Sequence, residues 1–330
     1  MQQWLEVQLK QDDLVIESAS SDASFRRYFR VYSAQGSHIA MDAPPAQENI
    51  KRFVSVANIL RIVGVHAPDI IAGDYEQGFL LLSDFGKRQY LDVLADSNAD
   101  QLYGDAFNTL IYLQSRVAAH TTDLPVYDAA LLLKEMELFS EWFVQKLLGI
   151  QLNQEQQTML KTSFQRLIDS ALAQPQVCVH RDFHSRNLMF VETDNPGVLD
   201  FQDALFGPLT YDLVSLLKDC YISWPKQRVV EWVDDYYQRC HEARIITETI
   251  SLSQYQHWFD RMGVQRHLKA IGIFSRLNIR DGKSGYLKDI PATLEYVSAV
   301  CRLDPELSAL GDFIQQIISP AMQQHSGFKS

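Results

Sequence analysis

Hydrophobic residues alternate with polar ones in short runs near the start of the chain and recur at helical spacing in most of the rest. Apolar residues at three- and four-residue steps predict a helix over residues 47–63. A short helix over residues 2–10 is also expected. Short runs bounded by turn residues predict five strands, which cover residues 14–16, 25–32, 38–41, 69–72 and 79–82.

The later part of the chain is predicted to be mainly helical. Three further strand-like runs lie close together, at residues 177–179, 188–191 and 198–199. We therefore expect an α+β fold with a small β-rich N-lobe, residues 1–86, and a larger C-lobe, residues 87–330. The predicted C-lobe helices cover residues 100–119, 128–149, 154–173, 211–221, 225–241, 253–277 and 290–301.

Composition narrows the possible functions. The chain has 330 residues, of which 46% are hydrophobic, and this is enough to form a sizeable core. Its net charge is −11 and no block of lysine or arginine occurs, which argues against nucleic-acid and anionic-membrane partners. A small-molecule enzyme, acting as a monomer, fits this composition.

Cysteine use and the N-terminal sequence indicate a cytoplasmic location. The four cysteines are far apart and lack CxxC spacing, so free thiols in a reducing compartment are expected. The N-terminus carries acidic residues in an amphipathic pattern, unlike a signal or transit peptide. No apolar run approaches the roughly 18 residues that span a bilayer.

The stretch from His180 to Asp203 carries the strongest chemical signal. His180-Arg181-Asp182 is followed at a spacing of four residues by Asn187, and Asp200 ends a later apolar run. This order matches the catalytic loop of a kinase-type phosphoryl-transfer enzyme. Asp182 would then orient a substrate hydroxyl and accept its proton, while Asn187 and Asp200 would hold Mg²⁺ against nucleotide phosphates. Turn and capping roles are the ordinary alternative for a single acid, but they do not explain the combination.

The residues that would bind the nucleotide phosphates match the kinase pattern less well than the catalytic loop does. The turn over residues 18–24 is rich in small residues but has no glycine, so its Ser21 and Ser24 give a weak signal for a loop over ATP phosphates. Taken by itself, the segment is better explained as a plain hairpin turn. The third strand carries Met41 where kinases carry a phosphate-binding lysine. The cations that could replace the lysine are Arg26, Arg27 and Lys51, and ordinary surface charge is the alternative for each of them.

A DFG tripeptide occurs early, at residues 84–86. It precedes the HRD motif by about a hundred residues, whereas a metal-binding DFG follows the catalytic loop. We therefore assign Ser83, Asp84 and Phe85 to a hinge whose backbone groups would bind the adenine edge, and the metal-binding role to Asp200.

Smaller predictions concern the flanking residues. Asp212, in the first turn of a predicted helix, is expected to brace the catalytic loop through His180 or Arg181. Gly207-Pro208 is predicted to form a turn. Glu48 is expected to be a first-turn helix acid, with a cation contact as the alternative. Asp203 is a candidate for metal or substrate binding, and solvent exposure is the alternative.

HRDFHSRNL followed by VLDFQDALFGPLTYDL resembles the aminoglycoside-phosphotransferase-like kinases. Within that family, the segments SDASFRRYFRV, MDAPPAQE and LLLSDFG extend the likeness to the anomeric N-acetylmuramate/N-acetylglucosamine kinases of cell-wall recycling. The resemblance implies a bilobal protein-kinase-like fold, ATP and Mg²⁺ as cofactors, and an amino sugar as acceptor. It also implies that Asp182 is the catalytic base and that Asn187 and Asp200 bind metal. Arg266 and Lys269 are the candidate sugar contacts, with salt bridges to the chain's own acids as the alternative.

Two other functions remain open at this point. Aminoglycosides, choline or homoserine are alternative acceptors, because the motif defines the reaction type but not the acceptor. A nucleotide-binding pseudokinase is favoured by the missing lysine and the glycine-free loop, and is opposed by the intact set of Asp182, Asn187 and Asp200.

Overall fold

The computed structural model describes residues 1–20, 25–118 and 123–328. The chain forms two compact units. Unit 1 comprises Met1–Val117 and Arg186–Ala204, and unit 2 comprises Ala118–Ser185 and Leu205–Ser330. The assignment of residues 1–86 and 87–330 to two lobes stays a prediction. No helix in the described ranges is long and apolar enough to cross a membrane.

The strands that the structure describes are short. In chain order they are β1 Val15–Ser20, β2 Arg27–Ser33, β3 Gly36–Asp42, β4 Ile70–Asp74, β5 Phe79–Ser83, β6 Gln176–Val179, β7 Leu188–Met189, β8 Gly197–Val198 and β9 Leu205–Pro208.

The α-helices range from one turn to 30 residues. They are α1 Gln2–Leu9, α2 Ile50–Ile62, α3 Tyr90–Val93, α4 Ala99–Arg116, α5 Ala129–Leu138, α6 Gln154–Leu172, α7 Tyr211–Leu217, α8 Lys226–Glu242, α9 Leu252–Asp281, α10 Ile290–Cys301, α11 Ser308–Phe313 and α12 Ser319–Gln324. Helix α5 continues as a π-helix over Phe139–Leu147, and a second π-helical segment, Ile314–Ile318, links α11 to α12.

Unit 1 is built on a five-stranded antiparallel sheet with the strand order β1-β2-β3-β5-β4. The five strands predicted from the sequence are confirmed. Leu5 and Leu9 of α1 belong to the same buried cluster as Val31, Ala40 and Leu81 of the sheet. Burial of these apolar side chains fixes which way each strand faces, because successive side chains of a strand point to opposite sides.

Helix α2 also belongs to unit 1. The side chain of Asn49 caps the helix by accepting a hydrogen bond from Arg52 N at 3.1 Å. Because α2 begins at Ile50, Glu48 precedes the helix, and the prediction of a first-turn acid is wrong. The buried positions of α2 follow the predicted helical period and include Phe53, Ala57 and Leu60.

A small hairpin closes unit 1. It pairs β7 with β8, so that Leu188 lies opposite Val198. Val198 N donates to the carbonyl oxygen of His66 at 2.8 Å, which ties the hairpin to the segment before β4. This arrangement carries the two residues at the ends of the hairpin, Asn187 and Asp200, into the same unit.

Unit 2 is mainly helical and centres on α9. Seventeen of the 30 residues of this helix are buried, and it packs against α5, α6, α7 and α10. Gly272 of α9 lies directly against the backbone of Leu138 at the end of α5, where a side chain would not fit. The close helix–helix contact at this point therefore requires glycine.

The predicted turn at Gly207-Pro208 is wrong, because these residues complete strand β9. Pairing with β6 sets Val177 opposite Gly207. On the other side of β9, Phe206 N donates to Pro125 O at 2.8 Å and Tyr127 N donates to Phe206 O at 2.7 Å. Hydrogen bonding on both edges outweighs the local turn preference of Gly-Pro.

Candidate active site

Both ends of the loop that contains the HRD motif are held by acidic side chains at the two ends of α7. Asp212 accepts hydrogen bonds from His180 N at 2.6 Å and from Arg181 N at 2.9 Å, as the sequence predicted. Asp219 accepts from Ser185 N at 3.0 Å and from Ser185 Oγ at 2.5 Å. The second brace was not predicted, although Asp219 falls on the same face as Asp212 in the helix predicted over residues 211–221; in the structure it lies two residues beyond α7.

Arg181 turns away from the surface and joins a buried ionic cluster. Its backbone has a φ of 79°, a left-handed conformation that a non-glycine residue rarely adopts. Its guanidinium pairs with Glu135 of α5, a carboxylate that is only 6% exposed. Lys269 Nζ lies 3.1 Å from the same carboxylate and donates to Tyr211 OH at 2.9 Å. The loop is therefore anchored by ionic contacts as well as by α7.

Glu135 carries the negative charge of that cluster. Tyr127 OH also donates to it, and Gln265 Nε2 lies 3.3 Å from it. Burial by itself would raise the pKa of Glu135, but the charges of Lys269 and Arg181 outweigh burial and hold the pKa below its usual value. One ionised carboxylate thus pairs with two buried cations. Sequence analysis missed Glu135 altogether.

Asp182 is surrounded by positive charge within unit 2. Burial would raise the pKa of this carboxyl group, but the charges of Lys269, His184, Arg266 and Arg181 together lower it. Asp182 is therefore ionised at neutral pH. An ionised carboxylate can accept a hydrogen bond from a hydroxyl group and orient it, which is the part that the motif assigns to this residue.

The predicted substrate contacts Arg266 and Lys269 are both buried, at 7% and 9% exposure. Lys269 contacts Glu135 and Tyr211. The pKa of Arg266 lies above its usual value, because burial, which would lower it, is outweighed by neighbouring groups that include Cys220, Tyr211 and Asp182. Lys269 thus makes the contact with an acidic group of the chain that is the alternative to sugar binding, whereas Arg266 is attracted electrostatically by Asp182 and Asp219. Their role in sugar binding stays a prediction.

The two predicted metal ligands meet in unit 1. Asn187 and Asp200 flank the β7–β8 hairpin, and Asn187 Nδ2 lies 3.5 Å from Asp200 Oδ2. The backbone of Asp200 has a φ of 61°, so that Asp200, like Arg181, adopts the left-handed conformation that non-glycine residues rarely adopt. Gln202 Nε2 donates to Asp200 Oδ1 at 2.7 Å and so fixes the orientation of the carboxylate.

This pair of oxygen-bearing side chains suits magnesium. No group of three or more His, Cys, Asp and Glu side chains in the described ranges could hold a metal ion. Magnesium does not require such a group, because it is commonly bound by one or two carboxylates together with water and substrate phosphates. Asn187 and Asp200 therefore have the right donor chemistry for Mg²⁺.

Arg52 of α2 supports the segment that follows Asp200. Its Nε donates to Gln202 O at 2.8 Å and its Nη2 donates to Ala204 O at 3.2 Å. Gln202 in turn holds Asp200. Arg52 thus connects α2 to the candidate metal ligand through one intervening residue, a link that the sequence did not reveal.

Replacing Arg52 with alanine is expected to raise the Mg²⁺ concentration needed for half-maximal nucleotide binding by about tenfold, because each charge-assisted hydrogen bond contributes about 1.5–3 kcal/mol. The binding of a fluorescent ATP analogue, titrated with Mg²⁺, measures this directly. Arg61→Ala is the matched control, since Arg61 lies on the same helix and pairs with the half-exposed Asp69. An unchanged Mg²⁺ requirement in the Arg52 variant would contradict this role.

The side chains of the predicted hinge are occupied by contacts within unit 1. Arg30 donates to Asp84 Oδ2 at 2.7 Å and to Gly86 O at 2.6 Å. Burial would raise the pKa of Asp84, but hydrogen bonds from Arg30, Ser37 and Gly86 lower it. Ser83 Oγ accepts from Asp69 N at 2.9 Å, and Phe85 packs on His66 with ring centroids 4.6 Å apart. Their backbone role at the adenine edge stays a prediction.

The remaining predicted residues are spread over unit 1. Ser21 and Ser24 lie outside the described residues. Arg26 lies 3.6 Å from Glu48, and Arg27 pairs with Asp42. Asp203 is exposed and lines a cavity that Arg26 also lines.

Comparison with known proteins gives a consistent result. The model of the phosphotransferase enzyme family APH matches residues 15–244. A Pseudomonas putida protein named N-acetylmuramate/N-acetylglucosamine kinase is 48% identical over 302 residues, which cover 92% of this chain and 88% of that protein. A protein of the same name from Neisseria meningitidis serogroup B is 38% identical over 323 residues, covering 96% of this chain and 95% of the relative.

Solved structures confirm the predicted α+β, protein-kinase-like fold. The ADP-bound crystal structure of the aminoglycoside phosphotransferase APH(2'')-Ib matches with a TM-score of 0.58 and 17% identity, over 90% of this chain and 97% of that one. At such low identity the likeness concerns the fold alone. With the family match over most of its length and relatives of high identity, the chain belongs to the APH phosphotransferase enzyme family.

Proposed function

We propose that this protein is an ATP-dependent sugar kinase that phosphorylates the anomeric hydroxyl of N-acetylmuramate and N-acetylglucosamine to give the sugar 1-phosphates. The observation that carries the proposal is the 48% identity, over 92% of the chain, to a protein named for these two substrates. The presence of Asp182, Asn187 and Asp200 in their motif supports an active kinase over a pseudokinase. The reaction would reuse sugars released from peptidoglycan.

In this proposal Asp182 orients the acceptor hydroxyl and receives its proton. The positive charges around it keep the carboxylate ionised and lower its pKa. A carboxylate of low basicity takes the proton only when the oxygen–phosphorus bond is well advanced, so its main contribution is positioning. The braces from Asp212 and Asp219 serve this function by fixing the loop on both sides of Asp182.

Asn187 and Asp200 would hold Mg²⁺, with Gln202 and Arg52 keeping Asp200 in place. When bound, the metal supplies positive charge that offsets the charge of the nucleotide phosphates. Backbone groups of Ser83, Asp84 and Phe85 would bind the adenine edge, with the Arg30–Asp84 pair holding that segment to β2. Ser21 and Ser24 are proposed to bind the nucleotide phosphates.

We also propose that the two buried cations, Arg266 and Lys269, influence the binding of the acceptor sugar. Arg266 and Lys269 act on Asp182 through their charge, and they favour an acceptor that carries a carboxylate, such as the lactyl group of N-acetylmuramate. Asp203, which is exposed, would contact sugar hydroxyls.

The free state of the four cysteines fits a cytoplasmic enzyme. The enzyme is proposed to act as a monomer.

A coupled assay of ADP release tests the acceptor. We expect turnover with N-acetylmuramate and N-acetylglucosamine to exceed that with kanamycin, choline and homoserine by at least about a hundredfold in kcat/KM, because a site that hydrogen-bonds one acceptor strongly rejects others. Protein with Asp182→Asn serves as the blank for contaminating activity. Turnover of kanamycin alone would contradict the proposal.

A further inference from the structure

Strand β3 lacks the lysine that contacts the phosphates in protein kinases, and Met41, which is fully buried, stands there instead. We propose that Arg26 supplies this missing cation and that Glu48 holds it in place. The inference rests on the proposed function, since it requires that the chain bind ATP. It selects one of the three cations that the sequence left open.

Strand register bears on the choice between Arg26 and Arg27. Tyr28 pairs with Met41 and Arg27 pairs with Asp42 across the antiparallel strands β2 and β3. Paired residues share a side of the sheet, and neighbours along a strand alternate. Arg26, the residue before β2, lines the same cavity as Met41, whereas Arg27 lies on the opposite side of the sheet.

Arg26 also lines a cavity that includes Gln202, the residue that holds the candidate metal ligand Asp200. This cavity of about 280 Å³ is bounded by Arg26, Met41 and Glu48 on one side and by Gln202 and Asp203 on another. Gln202 is the residue that donates to Asp200. Arg26 therefore lines the same cavity as Gln202, which holds the proposed Mg²⁺ ligand Asp200.

The pairing of Arg26 with Glu48 resembles the ion pair that positions the lysine in protein kinases. Arg26 Nε lies 3.6 Å from Glu48 Oε2, and their side chains are only 10% and 19% exposed. In kinases a glutamate on the helix after the third strand holds the phosphate-binding lysine in the same way. Glu48 lies two residues before α2, the corresponding helix. Arginine suits this role, since its planar guanidinium can donate hydrogen bonds to two phosphate oxygens at once.

The other two candidates lack these features. The Arg27 side chain is 66% exposed and pairs with Asp42 on the opposite side of the sheet. Lys51 is exposed and lines a separate surface groove with Val54, Ser55 and Tyr75. Neither side chain lines the cavity that contains Gln202 and Asp203.

Calorimetric titration with ATP and with adenosine, in the presence of Mg²⁺, tests the assignment without requiring turnover. Arg26→Ala is expected to weaken ATP binding on the order of tenfold or more, because a charge-assisted contact to phosphate is lost. Adenosine binding should change by less than about twofold, because adenosine lacks phosphate. Arg26→Lys should recover part of the ATP affinity, and the matched control Arg27→Ala should bind ATP as the wild type does.

Two results would overturn the inference. One is that Arg26→Ala and Arg27→Ala weaken ATP binding equally. The other is that Arg26→Ala weakens ATP and adenosine equally, which would indicate a structural defect. Arg26→Gln keeps the side-chain length and gives the same comparison if the alanine variant does not fold. If Arg26→Ala weakens ATP binding but the wild type phosphorylates no amino sugar, the role of Arg26 stands and the proposed acceptor is wrong.

Discussion

Replacing Asp182 with asparagine is expected to lower kcat for amino-sugar phosphorylation by about 10²- to 10⁴-fold while leaving ATP binding within about twofold. In the proposed mechanism the carboxylate orients the acceptor hydroxyl and takes its proton, whereas the amide of asparagine can accept a hydrogen bond but cannot take the proton. Its ionised state is maintained by the charges of Lys269, His184, Arg266 and Arg181. Steady-state kinetics with N-acetylmuramate, together with calorimetry for ATP, separates the two effects.

Asp260→Asn provides the matched control for this experiment. Asp260 is also in unit 2, but its side chain is 50% exposed and pairs with Lys218. Its removal should leave kcat within about twofold, because exposed ion pairs contribute little. ATP consumption that continued unchanged in the Asp182 variant would remove this residue from the mechanism.

Replacing Glu135 with glutamine is expected to lower the free energy of unfolding by about 3–5 kcal/mol, because Arg181 and Lys269 would remain buried without their shared carboxylate. Urea denaturation, followed by circular dichroism and by intrinsic fluorescence, measures the change. The matched control is Glu137→Gln, two residues further along α5, where the side chain is exposed. Equal stability of the two variants would contradict the account of the cluster.

The stabilisation by Glu135 should also depend on pH. Its pKa in the folded protein lies below the ordinary value of 4.5, so the ionised carboxylate favours folding above that value. As the pH falls through the lowered pKa, this contribution is lost. The difference in stability between the wild type and Glu135→Gln should therefore shrink in acid, and a difference that grew in acid would contradict the assigned sign.

Local sequence patterns were sufficient for the elements whose burial follows a simple period. The five strands of unit 1 and the long helices α6 and α9 were predicted close to their observed bounds, because their apolar residues repeat at strand or helix spacing. The brace by Asp212 was predicted for a related reason, since an acid in a first helical turn is well placed to accept backbone N–H groups. The family was also recognisable from its motifs, and the family model confirms it.

Contacts between distant segments were not predictable in this way. Glu135 lies 46 residues before Arg181, and a charged residue in a helical pattern ordinarily indicates an exposed position. Arg52 reaches Gln202 across 150 residues for the same reason. Gly207-Pro208 of β9 has the local composition of a turn. The hydrogen-bonding partners that make it part of a strand lie elsewhere in the chain. Such contacts depend on the tertiary structure, which the local pattern does not contain.

The cation proposed to contact the phosphates was predictable in part. The missing lysine of the third strand was evident from the sequence, and Arg26, Arg27 and Lys51 were its candidate replacements. Alternation along β2 separates Arg26 from Arg27, and the contact with Glu48 distinguishes Arg26 further. Strand register thus argues against Arg27, and the exposed position of Lys51 in a separate groove argues against that residue.

The most direct test of the proposed function is nuclear magnetic resonance of the product formed from N-acetylmuramate, ATP and Mg²⁺. Phosphorus-31 and proton spectra report which carbon carries the phosphate. We expect a product whose phosphorus couples to the anomeric proton, and far less of it in the same time with Asp182→Asn. Phosphorus coupled to the protons of another carbon, or no product from the wild type, would contradict it.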